Sequence, residues 1–409
     1  MVQTDVMAQD GVEKKVEVFK NKNFLYLFIS SLMSAPGYYV YIMGAEWLML
    51  SITDNRFFFG LLFISASIPR LLFLSVGGVL ADRVEKKVIL FLTDITRSFF
   101  VFLVLLLIVT DLIQAWHLIL LAGLFGISDA FSYPTTDSLT AELLNEHELQ
   151  RGNSLIQMTK QVSPILGPVL GGSLIYFIGF TGVFTVAFVM LAIASLTVWR
   201  VKIQASEQEE IKESAFADFK KGIQYIKANQ LLQSIMIMGF VVNFFVAGPL
   251  SMGIPILVKD VFQENALALT ILQVSLGVGA ILGSIILSIR KDFKKPGRVL
   301  LTSLTIFGVL YALTGFAFHL YLNALLIFVA AICLQFINIP LVTLIQRTTD
   351  KKMIGKMMSM LMMVSTGLVP VSFLVTSILM AFQIQITQIM ICGGIVTNYS
   401  LYISLPIKN

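Results

Sequence analysis

Residues 57–87 read FFFGLLFISASIPRLLFLSVGGVLADRVEKK. Twenty-five residues pass with a single charge, Arg70, before Asp82, Arg83, Glu85, Lys86 and Lys87 arrive within six positions. A helix needs ~20 apolar residues to cross the ~30 Å hydrocarbon layer, so this stretch predicts one spanning helix that ends in a basic turn. The same pattern repeats along the chain. Stretches of spanning length run near 24–50, 57–81, 88–110, 117–141, 153–178, 181–199, 231–258, 267–289, 299–317, 320–345, 357–380 and 383–406. The expected fold class is an all-α membrane protein with twelve transmembrane helices.

The basic residues set its orientation. With the N-terminus placed in the cytoplasm, 24 of the 29 Lys and Arg fall in the tail and loops of that side. The outer loops keep only Arg56 and Lys259, and Arg70, Arg97 and Lys160 lie inside spans. The positive-inside rule therefore predicts that both termini are cytoplasmic.

Composition agrees with this reading. The chain is 57% hydrophobic and only 13% charged, with a mean hydropathy of +0.86; soluble domains carry about 25% charged residues. The net charge of +5 then reflects loops facing anionic lipid and gives no support for nucleic-acid binding. The tail to Asn23 lacks an apolar run ending in a small-residue cleavage site and is expected not to be a signal peptide. Cys333 and Cys392 both fall within spans, at a spacing that matches neither a metal site nor a disulfide framework.

The longest polar segment, Val201 to Gln230, has six spans on either side. It divides the chain into an N-terminal six-helix bundle (1–200), a cytoplasmic linker (201–230) and a C-terminal six-helix bundle (231–409). Shifting the sequence by 206 residues lays Gly77 over Gly283 and Pro134 over Pro340, as two repeated halves of a transporter would. Within the linker, Phe216, Phe219, Ile223 and Ile226 recur at helical spacing between lysines, which predicts an amphipathic helix on the inner membrane surface.

Small residues form two stripes. Ser163, Gly167 and Gly171 stand four apart in span five, and Ser275, Gly279 and Gly283 do so in span eight. Such faces let two helix backbones approach closely. Pro168, followed by Gly171 and Gly172, predicts a bend in span five.

Several of these motifs carry a resemblance. Gly78-Val79-Leu80-Ala81-Asp82-Arg83 with Lys86 and Lys87 resembles the loop signature of the major facilitator superfamily, and Gly167-Pro168 with Gly171-Gly172 resembles its antiporter motif. Asp94 to Arg97, Phe131 to Pro134, Glu142-Leu143, Asn153-Ser154, Phe219 to Gly222 and Gln346 to Lys356 narrow the similarity. Together they resemble the drug:proton antiporter branch that includes macrolide-efflux and enterobactin-exporter-like proteins. Two departures stand out: Glu85 occupies a usual glycine position in the loop signature, and Gly37 is followed by Tyr38 rather than an acid. The resemblance implies a cytoplasmic gate built from Gly78, Asp82, Arg83, Lys87, Asp94, Arg97 and Lys356. In it the Asp82 carboxylate faces the positive N-terminal end of span eleven, and Asp94 pairs with Arg97 three residues on. Gly167, Pro168, Gly171, Gly172, Gly279 and Gly283 form the helix-packing motif.

Ionisable groups inside spans are costly and mark function by default, at roughly 2.5–3.5 kcal/mol each on insertion scales. Spans one to six hold Glu46, Arg70, Asp94, Arg97, Asp129 and Lys160, with Asp137 near an inner end; spans seven to twelve hold none. Burial favours the neutral form of a carboxyl and brings proton exchange nearer neutral pH. Glu46 and Asp129 are accordingly the proton-coupling candidates, with a fixed ion pair to Arg70 or Lys160 as the competing reading. Tyr38, Tyr41, Arg70, Lys160, Asn243, Gln335 and Asn338 are the expected lining of a central cavity. Tyr38, Tyr39, Tyr41 and Trp47 are able to stack on an aromatic or cationic solute or simply to pack. His117, His319 and His147 fall at helix ends or in a loop, away from any central relay.

Nothing supports an enzyme: there is no phosphate-cradling Gly-rich loop, no metal spacing and no nucleophile with a placed base. No catalytic residue, metal or cofactor is expected. The expected function is secondary active transport, a proton-coupled efflux of an amphiphilic drug, macrolide-like compound or siderophore by alternating access. The alternative is a passive facilitator or uptake carrier on the same fold. Expected partners are the small-molecule substrate, protons and membrane lipids, with the protein a monomer in a bacterial inner membrane.

Overall fold

A computed structural model of the chain describes residues 18–202, 229–290, 293, 295–349 and 354–403. The linker helix expected around Phe216 to Lys227 lies outside the described residues. So do the side chains of Gly78, Asp82, Arg83 and Lys356.

The described residues are almost entirely helical, the form in which a backbone satisfies its own hydrogen bonds inside lipid. In chain order the helices are α1 (Lys22–Ile52), α2 (Arg56–Arg83), α3 (Lys86–Val109), α4 (Ala115–Leu143), α5 (Glu146–Trp199), α6 (Gln230–Val242) and α7 (Gly248–Ile256). They continue as α8 (Ala266–Ile289), α9 (Pro296–Thr314), α10 (Leu320–Thr348), α11 (Ile354–Gly367), α12 (Val369–Ala381) and α13 (Ile386–Ile403). Among the described residues, nine helices are long and apolar enough to cross a membrane. One of the nine is α5, whose two arms meet at Gly179; with α1 and α13 the spanning segments number twelve.

Where the helices break follows from local chemistry. The non-helical residue inside α5 is Gly179, at φ 78°, a left-handed conformation that glycine adopts without a Cβ penalty. Span five, by contrast, stays helical through Pro168, so the chain direction changes after the proline that predicted a bend. Span seven contains Pro249 and Pro255, which cannot donate to the preceding turn, and widened π turns flank α7 at Asn243–Ala247 and Leu257–Val261. Span eleven is interrupted at Leu368, just before Pro370.

Polar side chains tie the helix ends. Asn145 with Glu148, and Gln114 with His117, form reciprocal capping pairs at the starts of α5 and α4. His319 caps α10 by accepting the Tyr321 N–H at 3.3 Å. Two of the three histidines therefore work as helix caps.

Two compact units emerge, residues 1–48 with 65–209 and residues 49–64 with 210–409. In the first unit Leu27, Leu90, Leu139, Val198 and Val201 form a buried cluster joining α1, α3, α4 and the end of α5. Gly167 of α5 lies against α1 so closely that a Cβ there would sit 2.2 Å from the Tyr39 Cβ. In the second unit Gly279 packs on the Phe328 carbonyl of α10 in the same manner. Apolar side chains such as Leu72, Phe177 and Ile289 point outward, as expected of helices whose solvent is lipid.

Candidate functional site

Within the first unit, five helices turn polar residues toward one space. On α1, Ser34 and Tyr38 are four apart; on α3, Asp94 and Arg97 are three apart; on α4, Asp129, Ser132 and Thr136 follow at three and four. These intervals each keep side chains on one helix face. With Arg70 from α2 and Lys160 from α5 they line a cavity of about 180 Å³.

Asp129 is the hub of the charges. Its Oδ2 lies 3.0 Å from Arg70 Nε, and its Oδ1 accepts from Arg97 Nη2 at 3.1 Å. Both carboxylate oxygens thus face guanidinium groups, one from α2 and one from α3. Arg97 is only 3% exposed and also approaches Asp94 Oδ1 with Nη1 at 3.7 Å. Asp94 in turn accepts the Ser34 hydroxyl at 2.7 Å. The Arg97 guanidinium stands 5.6 Å from the centre of the Tyr38 ring, within cation–π range. Arg70 differs from Arg97 in being 39% exposed, so one guanidinium is sealed and the other reachable.

Charge pairing of this kind is what apolar surroundings demand, because an uncompensated charge there is strongly disfavoured. Lys160 follows the same rule with a different partner: its Nζ lies 2.7 Å from Asp137 Oδ1 on α4. At the turn between α2 and α3, Lys87 Nζ meets Glu85 Oε1 at 3.0 Å, so the residue that departs from the loop signature neutralises a lysine of that signature. Lys86 reaches Glu142 at 2.7 Å and joins the start of α3 to the end of α4.

The remaining sequence candidates fall elsewhere. Glu46 is 6% exposed and is not among the residues lining this cavity. Tyr41 also lies outside the lining, stacked face to face on Phe125 at 4.1 Å. Asn243 opens a π turn in the second unit and donates to the Gly239 carbonyl at 2.9 Å. Gln335 packs beside Gly283, and Asn338 is exposed. Asp94 and Arg97, expected in a gate, line the same cavity as Asp129. Sequence reasoning missed Ser34, Ser132 and Thr136, whose signal was their helical interval to Tyr38 and Asp129.

A charge-lined cavity inside an apolar twelve-span helical chain defines a solute carrier of the major facilitator fold. Solved structures agree on the fold. The chain superposes with a TM-score of 0.71 on a bacterial homologue of the iron transporter ferroportin, at 15% identity over 93% of this chain and 98% of that one. It superposes equally, at 0.71 and 14% identity, on the nucleoside transporter NupG, covering 94% of this chain and 98% of that one.

Residues 15–408 match the transmembrane secretion effector family, and the chain belongs to that family of major facilitator transporters. It is 25% identical over 362 residues to YkuC of Bacillus subtilis, an MFS-type transporter, covering 84% of this chain and 82% of the relative. Macrolide efflux protein A of Streptococcus pyogenes is 21% identical over 336 residues, 80% of this chain and 81% of its own. The staphyloferrin A transporter of Staphylococcus aureus is 24% identical over 369 residues, 86% and 88%. The chain is a multi-pass protein of the bacterial cell membrane.

Proposed function

We propose that the protein exports an amphiphilic small molecule in exchange for protons, by alternating access, and that Asp129 carries the proton. The observation behind this reading is the double engagement of Asp129 by Arg70 and Arg97 at the wall of a cavity. While ionised, Asp129 draws α2, α3 and α4 together. A proton on it removes the charge that both guanidinium groups share and loosens that three-helix contact. A solute entering the cavity meets the exposed Arg70 and the Tyr38 and Tyr39 rings, so solute and proton act on the same contact. Coupling between two ligands requires such a shared element.

Export is the direction suggested by the macrolide efflux relative. Cytoplasmic termini follow from the basic residues, and the division into 1–200, 201–230 and 231–409 from the position of the linker.

The test uses purified protein in liposomes with an imposed pH gradient and a trapped pH dye. A macrolide, a cationic dye and a siderophore are added in turn. At least one should collapse the gradient with wild-type protein and leave it intact with Asp129→Asn. Transport that proceeds equally without a gradient, and survives Asp129→Asn, would assign the protein to passive carriers.

A further inference from the structure

Arg97 is a buried guanidinium whose donors are only partly used. Its Nη2 donates to Asp129 Oδ1 at 3.1 Å, while its Nη1 stops 3.7 Å from Asp94 Oδ1. The second separation is an ion pair without a hydrogen bond. Nε is buried and has no hydrogen-bond partner among the described residues. A sealed cation with idle donors thus stands beside a second carboxylate, where a shift of under ~1 Å would complete a hydrogen bond.

Asp94 is placed to take that bond. It is buried, and its Oδ1 already accepts the Ser34 hydroxyl of α1 at 2.7 Å. A carboxylate oxygen carries two lone pairs, so a guanidinium N–H fits beside that hydroxyl. Asp94 and Arg97 stand three apart on α3 and can meet without any helix moving. Asp129, by contrast, holds Arg97 across a helix boundary, from α4. The other charged and titratable groups around them are Tyr38 and Tyr39 of α1, Arg70 of α2 and Lys160 of α5. Arg70 pairs with the second oxygen of Asp129, and Lys160 with Asp137.

We propose that Asp94 is a positioning residue of the coupling step: when Asp129 takes up a proton, Arg97 leaves it for Asp94, opening the α3–α4 tie while Ser34 keeps α1 on α3. The inference rests on the reading of Asp129 as the proton carrier. Apart from that proton, which stays on the Asp129 carboxylate, the step is an exchange of partners. A neutral carboxyl no longer offers a guanidinium a charge-assisted bond, and a buried cation left without a counter-charge is strongly disfavoured. Asp94 supplies the counter-charge from within α3. Without it, the departure of Arg97 would strand a cation, and Asp129 would resist the proton. One buried arginine shared by two acids thereby turns a proton on α4 into a choice of which helices remain joined.

The full-length protein, purified in detergent, is titrated from about pH 9 to about pH 4 and followed by infrared spectroscopy, in which a carboxylate that takes up a proton gains a carbonyl stretching band. Subtracting the same titration with Asp129→Asn added isolates the Asp129 band in each background. The midpoint of that band should fall by about one unit or more in Asp94→Asn, because Arg97 then has no other acid to turn to. Ser34→Ala removes no charge; Asp94, short of a donor, draws Arg97 more strongly, and the midpoint should rise by up to about one unit. This variant also decides the matter if Asp94→Asn does not fold. In an Arg97→Gln background the Asp94→Asn shift should shrink by at least about half. A shift of full size there would reduce Asp94 to a charge acting on Asp129 directly and overturn the exchange. A midpoint indifferent to both Asp94→Asn and Ser34→Ala would overturn the exchange and leave the proton carrier standing. No Asp129 band in the wild-type titration would remove the carrier itself, and the exchange with it.

Discussion

Arg97 Nη2 lies 3.1 Å from Asp129 Oδ1, joining the middle of α3 to the middle of α4. The pair differs from an ordinary surface ion pair in burial: the Arg97 side chain is 3% exposed and that of Asp129 14%. Removing one partner of a buried pair leaves an uncompensated charge, at a cost of about 3–5 kcal/mol. Arg97→Gln strands Asp94, leaves Asp129 with Arg70 alone, and should lower the melting temperature in detergent sharply. Adding Asp94→Asn to that variant should restore part of the loss, because the second change removes the stranded charge. Additive losses in the double variant would show that the two residues do not share an electrostatic unit.

Gly167 offers a test of the α1–α5 contact. A methyl group at this position would meet the Tyr39 Cβ at 2.2 Å and the Tyr39 carbonyl carbon at 2.8 Å, both fixed parts of α1. At Gly171 the obstacles are the Met43 Cβ and Cγ at 2.9 Å, the latter on a flexible chain. Gly167→Ala should therefore destabilise by more than Gly171→Ala, within the ~1–3 kcal/mol that overpacking costs. Thermal melts of the two purified variants decide the order, and an equal or reversed order would sink the close-approach argument.

How much of this was legible beforehand depends on the kind of signal. Hydrophobic length and charge bursts are written along one dimension, so the helix ends near Val109, Leu143 and Ile289 lie close to where the stretches end. The break in α5 at Gly179 falls between the fifth and sixth stretches for the same reason. Rotation of one helix about its axis relative to another is not written that way. The i,i+3 spacing of Asp94 and Arg97 gives their common face, yet not that this face meets Asp129. Lys160 had two acids within reach on α4, and only packing selects Asp137. Tyr41 shows the limit most directly: three tyrosines in four positions read alike, and the turn of α1 sends Tyr38 to the cavity and Tyr41 to Phe125.

Arg56 and Asp260 make a second kind of pair, two-pronged and nearer the surface. Arg56 Nε donates to Asp260 Oδ2 at 2.7 Å while Nη2 engages Oδ1, and the side chains are 19% and 32% exposed. Geometry is favourable, but solvent reaches both groups, so the contribution is about 1 kcal/mol or less. Arg56→Gln and Asp260→Asn should each lower the melting temperature slightly, and the exchange Arg56→Asp with Asp260→Arg should recover most of the difference. Raising salt should shrink the wild-type advantage. Single variants indistinguishable from wild type at low salt would remove the pair from the stability account.

Tyr41 separates ring from hydroxyl. Its ring lies 4.1 Å from that of Phe125 at an interplanar angle of 6°, and the residue is 3% exposed. The hydroxyl is buried without a hydrogen-bond partner among the described residues. A buried polar group left unpaired costs about 1–3 kcal/mol, so Tyr41→Phe should match or exceed wild type in thermal stability. Tyr41→Ala removes the stacked ring and leaves a cavity against Phe125, a change worth about 3–5 kcal/mol in packed cores. Should Tyr41→Phe instead melt well below wild type, the hydroxyl must hold a contact of its own, and the residue would move from packing to the set of groups that bind solute or water.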